Sequence, residues 1–170
     1  LSPDPDQDYF SDGLTEELIT NLSNVKSLCV ISRSSVMTFK GSKKKVPEIA
    51  KELNVQYVVE GSVRKAGKEL RITAQLIDAA NDVHLWANKY TGTLEDVFDM
   101  QDSVTRAIVE AIRVQLTPDE TRRLGKRSFD NPLAYEYYLR GKDEIRKGTE
   151  DAIKGGIQYL QQGIDIVGDN

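Results

Sequence analysis

The chain holds one histidine, His84, and one cysteine, Cys29, so covalent and metal chemistry have few groups to work with. A catalytic triad or a histidine-based metal site would need partners around His84. It sits instead in a strand-like stretch beside Leu85 and Trp86, with no serine nucleophile motif nearby, and a structural or surface role is expected. A single cysteine excludes an internal disulfide and a cysteine-rich metal site. Cys29 lies in the apolar run Leu28-Cys29-Val30-Ile31, where a small buried core residue is expected. The string Gly61-Ser62-Val63-Arg64-Lys65-Ala66-Gly67-Lys68 is one residue too long for a phosphate-binding loop, and Glu69 stands where Ser or Thr is required. It also bridges two strands, whereas a phosphate loop feeds a helix N-terminus. Asp96, Asp99 and Asp102 recur every three residues at a helix start, a placement that favours the helix dipole and needs no metal. No catalytic residue, metal ligand or cofactor is expected, and the fragment reads as non-enzymatic.

What remains is contact chemistry. Glu60 and Arg64 lie four apart on one strand face, with Arg71 set to oppose them across a hairpin. A cross-strand charge cluster is the simple reading and an anion or peptide site the sharper one. Trp86 and Tyr90 share a face with His84, as packing residues do. Glu60, Arg64, Arg71 and Trp86 are candidate interaction residues, together with Tyr135 and Tyr138 further along the chain.

Residues 55–90 must position most of these groups. Leu70, Ile72, Ala74 and Leu76 alternate with Arg71, Thr73 and Gln75, and Val59, Gly61 and Val63 alternate with Glu60, Ser62 and Arg64. That period predicts an antiparallel three-strand meander, with tight joints at 65–68 and 78–82. Ahead of it, residues 12–23 predict a helix capped by Asp12, with Leu14, Leu18 and Leu22 on its apolar face. Residues 28–31 predict a strand covered on both faces. Val36, Met37 and Phe39 are expected to insert into the core from one helical turn, and Pro47 opens a helix ended by Asn54. After the meander, a capping box at Thr93–Asp96 opens a long amphipathic helix expected to reach Leu116. A second box, Thr117 to Glu120 with Pro118 inside it, starts a short one. Two further helices, 132–147 and 149 to about 167, are parted by Gly148.

The fold class is α+β: a small mixed sheet containing the meander, with helices on one face, followed by an α-helical hairpin. The polar stretch before Pro132 marks a boundary, giving domains at 1–127 and 128–170.

Of the 170 residues, 39% are apolar and 29% charged, and no apolar run reaches a membrane span. A net charge of −4 with mixed signs argues against nonspecific nucleic-acid binding. The basic runs Lys40, Lys43, Lys44, Lys45 and Arg122, Arg123, Lys126, Arg127 read as solvated faces. The chain opens without Met or a signal peptide and stops abruptly after an unfinished helical segment, as expected of an excised piece of a longer protein.

The segments GLTEEL, VISRSSVMTFKG, YVVEGSVRKAG, LRITAQLIDA, HLWANKY and VFDMQDSV, taken as an ordered set over residues 8–116, resemble the domain related to the amino-terminal domain of TolB and to FlgO. The hairpin resembles a tetratricopeptide unit: YEYYLRG at 135–141 matches the first helix, while Gly156, Tyr159 and Gly163 stand where Ala, a large residue and Ala are usual. Two glycines cost about 1 kcal/mol each in helix propensity, and further repeats should follow. The resemblance implies a regulatory or scaffolding segment, often joined to an adenylate or guanylate cyclase domain and sometimes to a winged-helix domain or a kinase. It carries over no catalytic residues. It also implies a strand ahead of Tyr9 that this chain lacks, so that a sheet edge or slot is filled by another chain or by residues 1–6. The expected partners are therefore a protein, a neighbouring domain of the same chain, or a second copy through the exposed sheet edge, without nucleic acid. The expected compartment is the cytoplasm. A periplasmic or envelope adaptor, or the regulatory part of a winged-helix transcription regulator, is the alternative.

Overall fold

Alternation along residues 70–76 makes one face of a strand apolar, and in the computed structural model, which describes residues 5–124 and 129–168, that face floors the core. Leu70, Ile72, Ala74 and Leu76 are all buried. They belong to β2 (Glu69–Asp78), the centre of an antiparallel meander with β1 (Tyr57–Ala66) and β3 (Val83–Thr93). Gly67, at φ 60°, closes the first hairpin in a conformation that glycine adopts without strain. Val63 pairs with Ile72 and Leu76 with Trp86, so apolar partners stack on the buried face. The β2–β3 register slips between Leu76 and Ile77, leaving Leu85 as the extra residue of a bulge.

Helices α1 (Pro5–Ser23) and α4 (Val97–Ala111) pack on this face. α1 begins well before Asp12, which is therefore not its cap. Pro5 suits a first helical turn, and the extra length brings Tyr9 and Phe10 into the core. α2 (Arg33–Met37) and α3 (Val46–Leu53) follow, and Asn54 ends α3 in a left-handed conformation, φ 53°. The capping box at Thr93 closes as expected, with Thr93 N donating to Asp96 Oδ2 at 2.7 Å, and leads through a 3₁₀ turn into α4. α4 stops at Ala111 rather than Leu116 because Arg113 turns left-handed, φ 55°, although Ile112, Val114 and Leu116 still pack on the core. The second box also forms. Thr117 N donates to Glu120 Oε2 at 2.8 Å and Glu120 N to Thr117 Oγ1 at 3.3 Å, opening α5 (Pro118–Leu124).

The fold is α+β, with two differences from the expected detail. Residues 28–31 form no regular element and pair with no strand among the described residues, so the sheet is wholly antiparallel rather than mixed. Leu28 and Val30 lean on the core while Cys29, between them, is exposed, not buried. Likewise α2 buries none of its residues; Val36, Met37 and Phe39 stay half-buried.

The hairpin forms as expected, from α6 (Pro132–Arg146) and α7 (Glu150–Val167). Asn131 caps α6 by accepting from Leu133 N and Ala134 N, both at 3.0 Å, and Thr149 caps α7. Gly148, at φ 73°, makes the turn. The boundary expected at 127/128, the basic residues Lys126 and Arg127, and residues 1–4 lie outside the described residues.

Candidate interaction site

α1 carries Asp8, Asp12 and Glu16 at four-residue spacing, so the three carboxylates share one helix face. Cations from three other places meet them. Lys40 Nζ lies 3.1 Å from Asp8 and 2.7 Å from Asp12. Arg33 lies 3.6 Å from Asp12 and 3.5 Å from Glu16, its Nε buried and held by charge without a hydrogen bond. Lys142 and Arg146 of α6 each reach Glu16 at 2.6 Å. Burial alone would raise the Glu16 carboxyl, but the hydrogen bonds from Lys142 and Arg146 outweigh it and hold it below the usual range. The neighbouring Glu17 goes the other way, pushed up by burial and then by the charge of Glu16.

A second cluster centres on Glu136 of α6, which is buried. One of its oxygens, Oε1, accepts from Tyr9 of α1 at 2.9 Å, from Lys65 of β1, and from Arg140 Nη2 at 3.0 Å. Burial disfavours the carboxylate, yet the bonds from Lys65, Arg140 and Tyr9 win and hold it below the ordinary range. The same contact works on Tyr9, whose phenol is pushed up by burial and then by the Glu136 charge. Arg140 also stacks over the Tyr9 ring, 4.7 Å from its centroid. Helix, strand and hairpin therefore meet at one carboxylate.

Apolar packing closes the same seam. Tyr135 is 1% exposed, ringed by Phe10, Phe98 and Phe129 at 6.5, 5.3 and 5.3 Å, and its hydroxyl accepts from Gln101 Nε2 at 3.0 Å. Leu139 lies so close to Gly13 that a Cβ there would come within 2.4 Å of Leu139 Cδ2.

The residues singled out from sequence divide. Tyr135 is a core residue. Tyr138 packs on Phe129 at 4.8 Å with Lys142 over its ring, and so lies at the seam. Trp86 is half-buried against the core, opposite Leu76. Glu60, Arg64 and Arg71 share the outer sheet face, but Arg64 and Arg71 face each other directly while Glu60 takes a bond from Gln75 at 3.0 Å. Among the described residues no ion pair joins Glu60 to either arginine. His84 is exposed at the bulge. Tyr9, Glu16, Lys65 and Glu136 escaped the sequence reading. The local signals were the four-residue spacings of Asp8, Asp12 and Glu16 and of Glu136 and Arg140; Tyr9 and Glu136 are 127 residues apart. No group of three or more metal-ligating side chains occurs among the described residues, and none of their helices is long and apolar enough to cross a membrane.

Ile153, Ile157 and Ile164 form an exposed stripe on α7, and a groove runs beside the outer edge of β1.

An α+β unit with a regulator-type sequence underlies this arrangement: residues 4–107 match the profile of the HilA/YgeH-like transcriptional regulator second domain, and the chain belongs to that family. The match covers α1 to most of α4 and ends before the hairpin. Over 145 residues, 85% of its length, the chain is also 47% identical to the protein of Rhizobium meliloti (strain 1021) named "Putative adenylate cyclase 3", and spans about 25% of that relative.

Proposed function

We propose that this chain is a non-enzymatic regulatory and protein-interaction segment of a multidomain bacterial signalling protein, of the kind associated with adenylate or guanylate cyclases. In this reading residues 1–127 form a TolB- and FlgO-like unit and residues 128–170 begin a tetratricopeptide-like array, in the cytoplasm. A partner or neighbouring domain engages the hairpin or the sheet edge, and the strain passes through α6 into α1. The observation that carries it is the Glu136 cluster: a hairpin whose Glu136 is held by Tyr9 and Lys65, and whose Tyr135 packs on Phe10, cannot tilt without moving α1 and β1. The open stripe on α7 supports further repeats packing there. The relative named as a cyclase supports a cyclase output.

The test is made in the intact protein. Glu136→Lys is expected to alter cyclic nucleotide formation while the output domain stays folded, and the 170-residue chain alone is expected to turn over neither ATP nor GTP. Turnover by that chain, or an output indifferent to the substitution, overturns the reading.

The family description favours a second reading, the regulatory part of a winged-helix transcription regulator. A winged-helix domain in the same reading frame, with promoter occupancy that responds to Glu136→Lys, would select it.

A further inference from the structure

The meander turns its second face away from the core, and a block of six side chains there consists wholly of hydrogen-bond donors. Two rows of the strand register define it. Arg64 of β1, Arg71 of β2 and Thr91 of β3 lie side by side, and Ser62, Thr73 and Lys89 form the next row in the same strand order. Val63, Leu70 and Ile72, which alternate with them, are buried, so the block looks outward. Arg64, Arg71, Lys89 and Thr91 are exposed, while Ser62 and Thr73 are half-buried. Among the described residues none of these six side chains has a hydrogen-bond or ion-pair partner. Cations elsewhere do find carboxylates: Lys40 meets Asp8 and Asp12, Lys65 meets Glu136 and Arg146 meets Glu16. Arg64 and Arg71 instead stand directly opposite each other, Cβ atoms about 5 Å apart, where like charges destabilise a sheet. The carboxylates of the flanking rows do not relieve them. Glu60 takes a bond from Gln75, and Glu69 makes no ion pair among the described residues.

We propose that this block binds a phosphorylated serine or threonine of a partner protein, with the phosphate seated between Arg64 and Arg71. The inference goes beyond the regulatory reading and holds for either output domain. Charge complementarity selects the ligand. A phosphate monoester carries about −1.5 to −2 at pH 7 and presents three acceptor oxygens, which matches two guanidinium forks. A carboxylate has one charge and two oxygens, so one fork fills it and the second arginine stays unmatched. The hydroxyls of Ser62, Thr73 and Thr91 border the two arginines and supply donors for the remaining lone pairs. Lys89 adds a third positive charge on the neighbouring row. Other carriers of phosphate fit this face less well. A nucleotide needs a cavity or a ring for its base, and Trp86 and Tyr90, the aromatic residues of β3, pack on the core side. Nucleic acids and anionic membranes are met by extended basic fields; three cations flanked by Glu60 and Glu69, on a chain of net charge −4, do not make one. A single phosphate carried on a peptide reaches an open sheet face without having to be enclosed.

The test titrates the isotope-labelled full chain with the peptide Gly-Thr-Gly-phosphoserine-Gly-Thr-Gly and follows backbone amide shifts by NMR, with the same peptide carrying serine or glutamate at the centre as controls. Saturable shifts at residues 62–64, 71–73 and 89–91 are expected. Binding should be at least tenfold weaker for the glutamate peptide, absent for the serine peptide, and at least tenfold weaker for the phosphopeptide when Arg64→Gln and Arg71→Gln are combined. Without peptide, the double variant should melt at a higher temperature than the parent, because a like-charge contact is gone. A lower midpoint shows that the arginines serve the sheet and overturns the proposal. So does the absence of saturable shifts, an equal response to the glutamate peptide, or a response that survives in the double variant. Adenosine monophosphate shifting the same amides at a tenfold lower concentration makes a nucleotide the occupant. Vesicles containing phosphatidylserine that bind the parent chain but not the double variant make a membrane the partner. Either of these results also overturns the assignment.

Discussion

Glu136 and Glu120 show how a carboxylate can be kept charged inside a protein and what that does to stability. Glu136→Gln leaves Lys65 and Arg140 without their shared anion. Breaking a fully buried pair costs roughly 3–5 kcal/mol, and since both cations keep some water the expected loss is about 2 kcal/mol in urea unfolding. Glu120 is held down to about 2 by hydrogen bonds from the backbone of Thr117, the backbone of Lys26 and the Thr117 hydroxyl. A carboxyl lowered in the folded state stabilises above its unfolded pKa, about 4.3, and that contribution drains away as pH falls towards 2. A stability–pH curve should therefore slope down through this window, and more shallowly for Glu120→Gln. Tyr9 and Tyr135 act at the other end. Both are raised, first by burial, so their contribution is full below about pH 10 and is lost as pH rises beyond it. Tyr9→Phe should flatten that alkaline limb.

Elements meet closely where side chains are missing. A Cβ on Gly156 would sit 2.8 Å from the carbonyl oxygen of Gly141, so α6 and α7 touch backbone to backbone there. Gly156→Ala gains about 1 kcal/mol in helix propensity but must push two helices apart, and a net loss of about 1–2 kcal/mol is expected by thermal unfolding. Gly155, with nothing within 4 Å of its Cβ position, is the contrast: Gly155→Ala should stabilise by about 0.5–1 kcal/mol. The glycines that look like costly departures from a repeat pattern are, at Gly156, a packing requirement. The hairpin, the meander and both capping boxes were legible because their signals are local: period, cap and turn. The start of α1 was not, since Tyr9 and Phe10 are helical and buried by virtue of α6, far along the chain. Nor was the state of residues 28–31, because four apolar residues in a row look alike whether a strand pairs with them or not. The seam between α1 and α6 was invisible for the same reason as α1's start, and Tyr135, singled out as a contact residue, is buried in the core.

At the scale of the molecule, the chain is a regulator-family α+β unit with a helical hairpin built into its core rather than hung beside it. Tyr135 and Leu139 of the hairpin belong to the same cluster as Phe10, Phe98 and Leu70. Tyr135→Ala should cost about 3–5 kcal/mol and loosen the hairpin before the sheet. The central claim is that the two parts behave as one body, and urea unfolding followed by two probes tests it most directly. The single tryptophan, Trp86, reports on the sheet by fluorescence, and far-ultraviolet circular dichroism reports on the helices. One coincident transition is expected. A loss of helical signal at lower urea, with Trp86 fluorescence unchanged, would mean that the hairpin comes away on its own and would contradict the account.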